Sequence, residues 1–379
     1  SELGTSLKVS PDQKTFVVTL RRGVKFSNGE PLTAGAYSAH FARAMKGRMA
    51  GFVRGQIGPV KEVVAIDDHT IEFRMQRPHP AFRAALTSPF QFFWVNAPRH
   101  AQELGLFVTK RPVGTGPYMM EEWEQGVSIT LVRNPHYRHP EKQYLDKIVM
   151  PLLPKEEARI NALKAGDIDL FITNSGKLAK SAEQNPDMEV FAQIDQGAGI
   201  VAFDNSRPPF NDIRVRKALA HAVNRTVEVK AALGGTGGIL ATDWFGPESE
   251  WYCGGNTGYP EFNPDKAKAL LTAYGKPVKF KLSVLTFPVF MIGAQVHQTF
   301  WKRVGIDVEI DPRPPGPAWG GPLRRGEFQA WFLGIGGAVD PGFQAQNFHS
   351  RSRGNYYKLR NSEVDAALQA TWHPYRNKA

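Results

Sequence analysis

Cysteine is almost absent: Cys253 is the one cysteine in 379 residues. A single thiol excludes an internal disulfide and a cysteine-built four-ligand zinc site. It leaves the redox compartment open, because avoiding cysteine also suits an oxidising one. Cys253 sits in the glycine-rich "WYCGGNTG" with no histidine nearby in sequence, so it reads as an incidental loop thiol rather than a nucleophile. Long apolar runs are missing as well. Stretches such as "FPVFMIGA" (287–294) fall far short of the roughly 18 residues that cross a bilayer. No positively charged start, apolar core and small-residue cleavage site opens the chain, which therefore reads as a mature or trimmed product. Catalytic signatures are absent too: there is no Gly-x-Ser-x-Gly elbow, His-Glu-x-x-His pair or paired-cysteine motif. An enzyme reading has nothing to stand on.

Acidic residues are in deficit, 36 against 47 basic ones, for a formal charge of +11. Such a balance favours anionic surroundings. The basic residues are scattered, however, and the nearest thing to a block is "LRR" at 323–325. Without a basic tail or stripe, nucleic acid is excluded as the expected partner. Hydrophobic residues make up 42% and charged residues 22%, a composition that builds packed cores in two or three domains.

What is present is a sequence of alternating and helical patterns. "TFVVTL" (15–20) reads as a strand after the turn "SPDQ", and Thr33 as the cap of a helix carrying Tyr37, Phe41 and Met45 on one face. Residues 60–76 read as a hairpin around Asp-Asp-His. From "GTGPYMMEEW" (114–123) a strand is expected. Its glycines do not form a phosphate cradle, because Pro117 removes an amide donor and the remaining fingerprint residues are missing. "VSITLVRN" and "YLDKIVMPLL" continue as strands. "KEEARINALKAGDIDLFI" reads as a helix with Ala158 and Leu163 on its apolar side, a stop at Gly166 and a buried strand, together a βαβ crossover.

"FNDIRVRKALAHAVNR" (210–225) is basic but amphipathic. Asp212 caps it, and Val215, Ala218, Leu219, Ala222 and Val223 form a stripe, so it reads as a docked helix, with His221 on the polar side. Further on, "NPDKAKALLTAYG" (263–275) is a helix capped by Asn263 and stopped by Gly275. Strand–helix–strand units from about 208 onward make an α/β domain.

The order of these motifs is specific. "LKVSPDQKTFVVTLRRGVKFSNGEPLTA" (7–34), "RPVGTGPYMMEEW" (111–123), "RPPFNDIRVRKALAHAVNR" (207–225), "GIDVEI" (305–310) and "NSEVDAAL" (361–368) resemble the extracellular solute-binding proteins of family 5, the peptide- and nickel-type receptors of ABC importers. The resemblance implies an α/β fold: a two-lobed periplasmic-binding-protein fold (type II, cluster C-like) with an additional α+β subdomain. By it, 1–110 is the extra subdomain, 111–207 much of the first lobe and 208–379 the second, with "RPPF" near the hinge. It also implies that the N-terminal strand, and the return of the C-terminus to the first lobe, lie outside this sequence. The implied partners are a small-molecule or peptide ligand and the membrane permease of the importer. The implied protein is a monomer, periplasmic or extracellular, with or without a lipid anchor, and without cofactor or catalytic residues. The alternative classes are an enzyme on the same fold and the sensor domain of a transcriptional regulator.

The resemblance also points to "WFLGIGGAVDPGF" (331–343) as ligand-binding. Peptide-binding members commonly carry Trp-Gly-Ala-Asp-Tyr-Pro-Asp-Pro here, the first Asp pairing with the ligand's ammonium. Asp340 and Pro341 survive, but the earlier Asp is replaced by Gly337 or Ala338 and the Trp by Ile335 or Gly334. An unpaired buried ammonium costs several kcal/mol, which argues against a free-amine dipeptide unless a carboxylate outside this sequence replaces the missing one. The implied ligand-binding set is Trp319, Ile335, Gly336, Gly337, Ala338, Asp340 and Phe343, with Asn347, Arg324 and Arg325 as lesser candidates. Histidines at "HYRH" (136–139) and "RPHP" (77–80) lack the neighbours of a metal site, so no metal is expected.

Overall fold

The computed structural model describes residues 3–372 apart from 47–52, 54–56, 88–93, 106–109, 193–197, 236–237, 239, 241, 243–244, 248, 256, 316–320, 336–339 and 353. Contacts divide the chain into two units, Ser1–Phe171 with Gln369–Ala379, and Ile172–Leu368.

The first unit opens with β1 (Gly4–Val9), β2 (Thr15–Leu20), α1 (Ala34–Ala44), β3 (Val60–Asp67) and β4 (Thr70–Met75). The strands form an antiparallel sheet in the order β1-β2-β4-β3. Alternation decides which face is buried: Ile71, Phe73 and Met75 of β4 are inside, and their neighbours are not. Thr33 caps α1 as expected, its hydroxyl accepting from the Ala36 N–H at 3.4 Å. Tyr37 and Phe41 of α1 are buried against this sheet, with Phe41 meeting Phe73 edge-on at 5.5 Å.

After α2 (Pro98–Leu104) come β5 (Tyr118–Glu124), β6 (Ser128–Arg133) and β7 (Lys147–Pro151), an antiparallel meander. Helix α3 (Glu156–Ala165) ends on Gly166 at φ +76°, the left-handed cap that glycine adopts without strain. Two expectations fail here. Ile160, not Ala158, is the buried residue of α3. The strand expected at "IDLFI" (168–172) does not form, and Leu170 and Ile172 are 71% and 80% exposed. An apolar run becomes a strand only where a neighbour satisfies its backbone groups. Residues 168–172 carry no strand in the described residues, so the expected βαβ crossover does not form there.

The second unit holds α4 (Gly176–Glu183), β8 (Ala198–Phe203), α5 (Ile213–Ala222), α6 (Arg225–Ala232), α7 (Pro264–Tyr274), β9 (Lys279–Leu285), α8 (Pro288–Arg303), β10 (Asp307–Arg313), β11 (Ala330–Ile335) and α9 (Ser362–Ala370). Its sheet runs β10-β9-β11-β8, with β9 parallel to both β10 and β11, and β8 antiparallel to β11. The expected strand–helix–strand unit is therefore realised as β9-α8-β10. Val215, Ala218, Leu219 and Ala222 of α5 are all buried in one core with Trp301, whose indole N–H donates to the Leu219 carbonyl at 3.0 Å. Of these, Val215 and Leu219 each contribute roughly 1.5–3 kcal/mol by leaving water.

Two basic residues of α5 are engaged by the protein itself. Arg214 grips Asp212 at 2.6 Å and donates to the Ala273 carbonyl at 2.7 Å, and Arg216 donates to the Phe210 carbonyl. Those bonds from Arg214 hold the Asp212 carboxyl down at about 2. His221 corrects the sequence reading. It is buried rather than on a polar face, with Nδ1 2.7 Å from the Glu261 carbonyl. The segment before α7 crosses that side of α5, where Asn263 N–H donates to the His221 carbonyl at 2.7 Å.

Candidate ligand-binding site

The implied site begins on β11, "AWFLGI". Phe332 and Gly334 face α8, while Trp331 and Leu333 join Leu285, Leu323 and Phe328 in a second buried cluster. Two glycines make the α8 side possible. The Phe332 ring lies 2.6 Å from where a Cβ on Gly293 would stand, and the Phe290 ring 2.7 Å from the same point on Gly334. Both gaps are too short for a real Cβ, so aromatic rings of the core use the space that side chains would take. Trp331 is fully buried, and its indole N–H has no acceptor among the described residues. A buried donor of that kind is costly unless water or a loop carbonyl meets it.

The chain is described again from Asp340, which is buried and accepts the Gly342 N–H at 2.7 Å. This carboxylate therefore caps the short 3-10 turn Pro341–Gln344. The following segment is pinned from both sides. Asn355 donates to the Leu359 carbonyl at 2.8 Å and accepts the Leu359 N–H at 3.1 Å. Asn205, just after β8, donates from side chain and backbone to the Tyr357 carbonyl, each at 2.9 Å. Burial pushes the Tyr357 hydroxyl up to about 12, with Tyr356 adding to it, so it stays protonated.

Beside Asn205, buried Asp204 takes bonds from Ser206 Oγ and Arg207 Nε, both at 2.6 Å, and from Ser206 N–H at 3.0 Å. Burial alone would raise its pKa; the bonds from Ser206 and Arg207 outweigh that and lower it. The two Asp204 anchors lock the start of "RPPF".

Of the residues singled out in the sequence, Trp319, Gly336, Gly337 and Ala338 lie outside the described residues. Ile335 ends β11 opposite Ala198, and Phe343 belongs to the 3-10 turn after Asp340. Arg325 is engaged by Glu327, with Nη2 2.8 Å from Oε2. Sequence reasoning missed Phe290 and Tyr357 altogether. No local pattern announces them, because each acts on a residue far away along the chain. For metals, His139 does have a carboxylate beside it, Glu141 at 3.3 Å. Among the described residues no group of three or more His, Cys, Asp or Glu could hold an ion. Likewise, none of the described helices is long and apolar enough to cross a membrane.

Comparison with known proteins agrees with the geometry. Residues 1–356 match the family described as bacterial extracellular solute-binding proteins, family 5 Middle. The nickel-binding periplasmic protein of Escherichia coli is 28% identical, over 81% of this chain and 62% of its own length. Di/tripeptide-binding protein 1 of Pseudomonas aeruginosa is 23% identical, over 88% of this chain and 67% of its own. The chain thus spans about two thirds or less of these relatives. The periplasmic binding protein DppA of Helicobacter pylori, solved with the peptide STSA, superposes with a TM-score of 0.87 at 25% identity, covering 99% of this chain and 78% of that one. The fold is the mixed α/β fold of periplasmic binding proteins. The chain belongs to the bacterial extracellular solute-binding proteins of family 5.

Proposed function

We propose that the chain is the ligand-capturing part of an ABC-importer receptor working in the periplasm or at the outer face of the membrane, and that it delivers its solute to a membrane permease. The observation that carries this reading is the family match over residues 1–356. Capture needs no chemistry. A solute that touches both lobes only when they are closed stabilises the closed state by that difference in contact. In this reading 1–110 is the extra subdomain, 111–207 much of the first lobe and 208–379 the second. "RPPF" is the stiff segment about which the lobes close, since proline fixes its own φ.

The ligand is a solute without a free α-ammonium at the family's usual position. Supporting this, neither Gly337 nor Ala338 carries a charge where peptide-binding relatives place the pairing Asp. Asp340, the acid that remains in the loop, is buried and bonded to its own turn. The ligand classes that fit are an N-blocked or modified peptide, an opine-like anion, an oligosaccharide, a metal chelate or an amphipathic small molecule. Titration calorimetry with a dipeptide and its N-acetyl form tests the point. The free-amine form is expected to bind no better than the blocked one, and a micromolar or tighter constant for the free amine alone would overturn it.

A further inference from the structure

A recess walled by residues of the first unit carries an inference of its own. It encloses about 900 Å³, within the roughly 300–1,000 Å³ of small-molecule sites. Four stretches wall it: the Ser27–Asn28 turn, α2, residues 110–113 and β5. Hydrogen bonds hold three of these together before any ligand arrives. Ser27 N–H donates to the Gly114 carbonyl at 2.8 Å, and Ala97 N–H to the Val113 carbonyl at 3.0 Å. Val113 N–H donates to Asn96 Oδ1 at 3.0 Å, and His100 Nε2 lies 2.6 Å from the Arg111 carbonyl.

The lining has two characters. Leu104, Met119, Met120 and Trp123 make an apolar patch, and the Trp123 residue is 40% exposed. Adjacent methionines both line the recess, on β5, which is at the edge of its sheet among the described residues and has a register shift between Met120 and Glu122. Methionine also adapts its shape to whatever packs on it. The charged residues are Lys110 and Arg111 on one side, and Glu121 and Glu122 on β5. Lys147 engages Glu121 at 2.9 Å. Arg111 has no ion pair or side-chain hydrogen bond among the described residues. Arg111 and Glu122 are thus left without an ion pair among the described residues, and Lys110 lines the same wall.

We propose that this recess binds a small amphipathic monoanion, an aromatic or alkyl carboxylate or sulfonate. Its apolar part lies on Trp123 and the methionines, and its anionic group takes the Arg111 guanidinium, whose planar fork suits two oxygens at once. Glu122 disfavours a second negative charge and so narrows the choice to monoanions.

The test is a saturation-transfer NMR titration of the protein with naphthalene sulfonate, neutral naphthyl methanol and naphthalene disulfonate. The monosulfonate is expected to bind best. R111Q should weaken it by about tenfold or more, as loss of a charged hydrogen bond does, and leave the neutral probe nearly unchanged. W123A should weaken both. Absence of saturable binding up to about 5 mM, past the millimolar end of the affinity scale, would overturn the proposal. So would binding that both substitutions leave unchanged, because the probe would then sit elsewhere. Neither negative result bears on the capture function proposed above, which rests on the family match and not on this recess.

Discussion

The Phe290 ring occupies the volume that a side chain on Gly334 would need, its Cζ standing 2.7 Å from the Cβ position. The contact ties the start of α8 to the end of β11, immediately before the implied ligand loop. Position 334 is thus glycine for a packing reason, whatever the ligand.

Gly334→Ala is therefore expected to destabilise the second unit by roughly 1–3 kcal/mol, the usual cost of overpacking. Phe290→Ala in the same chain should remove most of that increment, because the two residues are in contact and their effects do not add. Urea denaturation of the two single variants and the double variant checks it. Simple additivity would contradict the contact.

His79 makes the first unit sensitive to acid. It is 5% exposed, its ring packs against Gly58, and burial, helped by the charge of Arg77, pushes its pKa down from 6.5 to about 4. Between those values the unfolded chain binds a proton that the folded chain refuses, so stability falls as pH drops from about 6.5 to 4. The loss attributable to His79 is roughly 3 kcal/mol from a shift of this size. His79→Leu should flatten the fall over that window in thermal melts taken at several pH values. An unchanged pH profile in the variant would contradict the assignment.

Asp204 is expected to be a structural anchor in the second unit. Asp204→Ala leaves Ser206 and Arg207 without their shared acceptor and should cost about 1–3 kcal/mol or more, as loss of a buried charged partner does. Since the folded pKa is lowered, this contribution is present above the unfolded value near 4 and fades as pH falls below it. Hydrogen exchange should show faster opening at 204–210. Unaltered exchange there would mean that the anchor is unimportant.

Much of the fold was legible because local rules were obeyed. Thr33, Asp212 and Asn263 cap their helices through the bonds that their side chains offer, and Gly166 and Gly275 end theirs in the left-handed region. The alternation in "TFVVTL" likewise turns Phe16 inward, whereas that in "VKFKLSVL" holds only to Leu282, beyond which Ser283, Val284 and Leu285 are all buried. Where the outcome depended on a distant partner, the local pattern misled. The run at 168–172 looks like a strand yet forms none, and Leu170 and Ile172 stay exposed. His221 looks solvent-facing until the segment at 261–263 crosses it. The ligand loop was legible only through resemblance, and Phe290 behind it only through three-dimensional packing.

Native mass spectrometry of the full-length protein, recovered gently from the cells that make it, tests the capture function most directly. The expected result is a small solute held one to one, lost on unfolding and lacking a free α-amine. Bare chain mass from solute-rich cells, or a bound free-amine dipeptide, would contradict the account.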